Sequence, residues 1–99
     1  MRTPEEIKQA IKAFEKDKKN LSKISFLGED NWERIDQQIH ILNQVLNGEL
    51  TEEDVKTIEK KAGENFNGDI IVGGNFIICQ WLLGKLNLYD IYSKNHRNE

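Results

Sequence analysis

Three side chains in this 99-residue sequence have the chemistry of nucleophiles or metal ligands: His40, Cys79 and His96. A metal centre needs ligands gathered at one point, and nucleophilic catalysis needs a nucleophile beside a base. No two of the three share a ligand spacing. Cys79 stands inside the apolar run 70–83, where a small core hydrophobe is its expected role. His40 falls beside an apolar helix seam, and His96 falls in a polar tail. Helical magnesium-dependent nucleotide hydrolases need paired E-x-x-E/D steps on facing helices. Glu33-x-x-Asp36 is one such step, and Glu49-x-x-Glu52 straddles an expected corner. One pair where two are needed leaves such a hydrolase as a remote reading. Gly73-Gly74 lacks the G-x-x-x-x-G-K-S/T spacing of a phosphate-cradling loop. The expectation is a non-enzymatic chain with no catalytic residue, no metal and no cofactor.

Charge points to binding more than to catalysis. Residues 1–28 carry seven basic and four acidic groups, and residues 29–69 carry four basic and eleven acidic ones. A basic head and an acidic waist can attract each other within or between subunits. The net charge of −3 is far from that of a dedicated nucleic-acid binder. Lys8, Lys12, Lys16 and Lys19 still form a stripe at helical spacing, so they are the candidate phosphate contacts. A solvated helix face explains the same stripe. A helix-turn-helix reader is disfavoured, because its recognition helix would present Glu52, Glu53 and Asp54 to phosphate.

The elements that position these residues read as helices. Thr3-Pro4-Glu5-Glu6 is a start signal with a cap, a proline at the first helical position and an acid three residues after the cap. Ile7, Ala10, Ile11 and Phe14 then mark one apolar face, and the helix is expected over 4–19. Residues 20–31 read as a connection. Asp30 or Asn31 should cap a second helix over 31–47. Trp32, Ile35, Ile39, Leu42 and Leu46 form its seam, and Ile41 and Val45 form a second stripe. This surplus apolar surface should be contacted from two sides, and Trp32, Ile41 and Val45 are the candidate self-association surface. Thr51 caps a third helix over 52–62 with Asp54 completing the box, and Gly63 is expected to stop it.

The stretch 69–86 is the most apolar in the chain, and the core should form on it. Its greasy run is about 14 residues and broken by Gly73, Gly74, Asn75 and Gln80, too short for a membrane span of about 20. A single helix over 69–83 capped by Asp69 is the preferred reading, with Gly73 and Gly74 letting another backbone approach. A short extended piece, a Gly-Gly bend and a helix capped by Asn75 is the alternative. The helix is expected between the first and second helices, and a last short one over 88–93. Phe66, alone in a polar turn, should fold inward.

Two corners repeat at an offset of 36: Q-V-L-N-G-E-L-T-E-E-D-V over 44–55 and Q-W-L-L-G-K-L-N-L-Y-D-I over 80–91. Both spell a helix, a glycine stop, a leucine, a cap and a β-branched partner. A duplicated unit explains this, and so does convergence on shared capping rules.

The helix W-E-R-I-D-Q-Q-I-H-I-L-N-Q-V-L-N-G and the helix end Q-W-L-L-G-K-L resemble small helical proteins of phages and prophages of Gram-positive bacteria, a group with no assigned activity. Many of these begin with a T-P-E-E-I-K-like helix. The likeness covers about half of the chain. The group often has Val where Leu82 stands and an acid where Lys85 stands. The resemblance implies an accessory protein of a mobile element in the host cytoplasm and carries no catalytic residues.

The expected fold is an all-α bundle of four to five short helices in one domain over 1–99, with 94–99 a frayed polar tail. One cysteine and no apolar leader behind Met1 fit a reduced, cytoplasmic setting with no membrane role. A chain this short buries only about 60–65% of its unfolded surface, so it gains from oligomerising. The leading expectation is therefore a self-associating interaction module, its partner itself or a host or phage protein.

Overall fold

A computed structural model describes residues 1–21 and 29–87. It has four helices in chain order: α1 (Pro4–Leu21), α2 (Glu29–Leu46), α3 (Glu52–Glu64) and α4 (Ile70–Leu82). No strand occurs among the described residues. The expected 88–93 helix and residues 22–28 of the expected connection lie outside them.

Local chemistry sets most of the boundaries. Thr3 and Glu6 form a capping box: the Thr3 N–H donates to Glu6 Oε1 at 3.1 Å, and the Glu6 N–H donates to Thr3 Oγ1 at 3.2 Å. Thr51 and Asp54 repeat it, at 2.8 and 3.2 Å. Asp69 caps α4 through one carboxylate oxygen that accepts from the Ile71 and Val72 N–H groups at 2.8 and 3.2 Å. With that cap made, α4 runs unbroken through Gly73 and Gly74, as the single-helix reading expects.

Three boundaries differ by two residues, the first at the end of α1, which runs past 19 to Leu21. α2 begins at Glu29, so Asp30 and Asn31 lie inside the helix and neither caps it. Asn31 instead accepts a 2.6 Å hydrogen bond from Arg34. α3 continues past Gly63 to Glu64 and closes at Asn65, whose N–H and side-chain amide both donate to the Lys61 carbonyl. Gly63 is small for a packing reason: a Cβ there would stand 3.0 Å from the Phe76 ring.

The helices pack in the order α1, α2, α4, α3, each touching its neighbours in that series. α2 is thus covered from two sides, as its two stripes require. α4 lies between α2 and α3, not between the first and second helices as expected. The reason is the second stripe of α2. Arg34, Gln38, Ile41 and Val45 share it, and Gly74 seats on its first half, where a Cβ would meet the Arg34 stem and come 3.4 Å from Gln38 Nε2. Gln38 Nε2 donates to the Gly74 carbonyl at 3.0 Å. The glycine therefore admits side chains of α2 rather than a second backbone. Phe14, Ile35, Leu42, Val55, Ile78, Cys79 and Leu82 complete a fully buried centre drawn from all four helices.

Candidate functional site

One flank of the molecule gathers several of the residues with chemical potential. α1 and α2 run antiparallel there, so the last turns of α1 face the first turns of α2. Lys18 is placed by that crossing. Its Nζ donates to Asp36 Oδ1 at 2.9 Å and lies 5.0 Å from the centre of the Trp32 ring, a cation–π distance. Glu15, Lys16, Lys18, Lys19 and Trp32 line a recess at this end. A second recess, sharing Glu15 and Lys18, continues along the helices past Asp36, His40 and Asn43.

Lys8, Lys12, Lys16 and Lys19 all stand exposed on the outer face of α1. Acids interrupt the stripe: Glu5 pairs with Lys8 at 3.7 Å, and Glu15 stands beside Lys16. Of the three residues expected to form a self-association surface, Ile41 is only 5% exposed and belongs to the core cluster. It cannot present a surface, because its stripe is the one α4 covers. Val45 is half-buried against the same cluster, and Trp32 is half-buried beneath Lys18. The expected patch therefore does not form as one face.

Phe66 supplies a different apolar feature. It is 53% exposed, not folded inward. Its ring lies over α4, with Cε2 at 2.9 Å from the point a Gly73 Cβ would occupy. Ile70, Ile71 and Val72 in the following turn are half-buried. The sequence signal for this corner was a lone aromatic between Asn65 and Asn67-Gly68; what hid its exposure is that nothing local says which side of the turn faces water.

The groups with reactive potential stay apart. Cys79 is fully buried, and burial together with the nearby Glu59 carboxylate pushes its thiol up to about 12. It is therefore a protonated packing group at neutral pH. His40 is exposed, and His96 lies outside the described residues. Glu33 is exposed while Asp36 is held by Lys18. Among the described residues no three His, Cys, Asp or Glu side chains gather to hold a metal ion. No helix among them is long and apolar enough to cross a membrane.

No protein-family model matches this chain, and no match emerged among curated proteins or among solved structures.

Proposed function

We propose that this chain is a non-enzymatic protein–protein interaction module that associates with a second copy of itself. Phe66 carries the reading. It is a large aromatic left half in water at the α3–α4 corner, beside the half-buried aliphatic turn that begins at Ile70. Aromatic anchors of this kind dominate interface energetics once a partner desolvates them. The small size of the core works in the same direction. On the resemblance to phage and prophage proteins, the module is an accessory factor of a mobile element in the host cytoplasm, its partner a second copy or a host or phage protein. Sedimentation equilibrium of the parent and Phe66→Ser tests the corner. The variant, helical by circular dichroism, should dimerise about tenfold or more weakly. Coincident curves for the two proteins count against it.

A second reading, a nucleic-acid-associated accessory protein, draws on Lys16, Lys18 and Lys19 lining one recess with Trp32. Lysines beside an aromatic suit a phosphate backbone and a stacked base. Binding to a labelled single strand should then fall steeply with salt and vanish in Lys12→Glu/Lys16→Glu. No binding at low salt removes this reading.

A further inference from the structure

We infer that α1–α2 and α3–α4 are two versions of one self-complementary helical hairpin, each the other's binding partner across α2 and α4. Four sets of observations carry this; capping rules account for the first and for the capping boxes of the second, but not for the burial match, the packing order or the Arg2 bridge.

The corners share their closing hydrogen bonds at an offset of 36, and the first adds one from the Leu50 N–H to the Gln44 carbonyl at 3.2 Å. Gly48 and Gly84 have φ of 77° and 83°. Glu49 N–H bonds to the Gln44 carbonyl and Lys85 N–H to the Gln80 carbonyl, both at 2.8 Å. Gly48 N–H reaches Val45 and Gly84 N–H reaches Trp81, at 3.1 and 3.0 Å. This is the same paired closure of a helix end twice over.

The first helices of the two hairpins also match, at an offset of 48. Thr3 and Thr51 make equivalent capping boxes. Ile7 and Val55 are buried at 2% and 0%, and Phe14 and Ala62 at 0% and 8%. α1 and α2 are each 18 residues and α3 and α4 each 13. The two offsets differ because the first hairpin is longer at its far end.

The packing order has the required symmetry. A two-fold rotation that exchanges α1 with α3 and α2 with α4 turns the α1–α2 contact into the α3–α4 contact and the α2–α4 contact into itself. Residues on such an axis touch their own counterparts. Gln38 and Gly74 are counterparts, 36 positions apart, and they are hydrogen-bonded at 3.0 Å.

Finally, the rotation maps the covalent α2-to-α3 corner onto the place where α4 ends and α1 begins. The chain is not joined there, and Arg2 bridges the gap. Its N–H bonds to the Leu82 carbonyl at 3.0 Å, and its guanidinium donates to the Trp81 and Leu86 carbonyls. Thr3 therefore stands at the end of α4 as Thr51 stands at the end of α2.

The inference is independent of association between whole chains. Circular permutants of the full chain test it. In each, Glu99 is joined to Met1 by a Gly-Ser linker. One is opened between hairpins, at Glu49/Leu50, and the other within a hairpin, at Asn67/Gly68. The first should keep the parent's helical content and a urea midpoint within about 1 M of it, and the second should lose its cooperative transition or unfold at clearly lower urea. Equal stability of the two, a more stable within-hairpin permutant, or unfolding of both overturns the inference.

Discussion

Arg2 engages Trp81 twice. Its Nε donates to the Trp81 carbonyl at 2.8 Å, and its guanidinium carbon lies 4.9 Å from the centre of the Trp81 ring. The carbonyls at the end of α4 have no partners within the helix, and a charged donor there also complements the negative end of the helix dipole. Arg2→Ala should cost about 1–3 kcal/mol in urea unfolding, from the charged hydrogen bonds and the ring contact together. Arg2→Lys should recover only part of this, because an ammonium cannot reproduce the fork. A neutral Arg2→Ala contradicts the assignment.

The paired glycines of α4 should behave oppositely. A Cβ at Gly74 falls on Arg34 Cγ and 2.9 Å from Cδ, on a side chain only 4% exposed. Overpacking there should cost about 1–3 kcal/mol and outweigh the helix propensity that Ala brings. At Gly73 the obstacle is the half-exposed Phe66 ring, which is able to swing aside. Gly73→Ala should be neutral or stabilising by up to about 1 kcal/mol. Equal effects at both positions contradict the placement of α2 against Gly74.

Both capping boxes should show in the acid limb of stability. The Thr3 and Thr51 backbone N–H groups hold the Glu6 and Asp54 carboxyls below the usual carboxylate range. A carboxyl with a lowered pKa binds its proton more weakly in the folded state, so its contribution is complete above the unfolded pKa and is lost as pH falls. Loss should begin below about pH 4.5. Glu6→Gln and Asp54→Asn should each flatten the fall in melting temperature through that range. An unchanged acid limb in both variants contradicts the boxes.

Cys79 should react only through opening of the fold. With the thiol buried and its pKa pushed up to about 12, thiolate reagents at pH 8 should label it at least about 100-fold more slowly than the unfolded chain. Labelling rates should follow urea concentration as unfolding does. Rapid labelling of the native protein contradicts the core assignment.

Helix class, three of the four caps and the glycine stops at 48 and 84 were legible, because each depends on residues within one turn of the boundary. The identity of neighbours was not. Periodicity marks Ile41 and Val45 as a surplus stripe but does not say what covers it. A lone chain offers a second copy as readily as α4. Arg34 and Gln38 hid the answer, since polar residues conceal the stripe's continuation; Gly74, 36 positions on, is what makes room for them. Gly63 read as a stop because helix-ending and close-packed glycines look alike until Phe76 is in place. At the candidate site, the Lys18–Trp32–Asp36 cluster was illegible, because it spans two helices whose register no local signal sets.

Self-association of the parent chain is the most direct test of the account. Sedimentation equilibrium from about 1 to 100 µM should show the weight-average mass rising from 11.5 kDa toward twice that value. A mass fixed at 11.5 kDa across the series contradicts it.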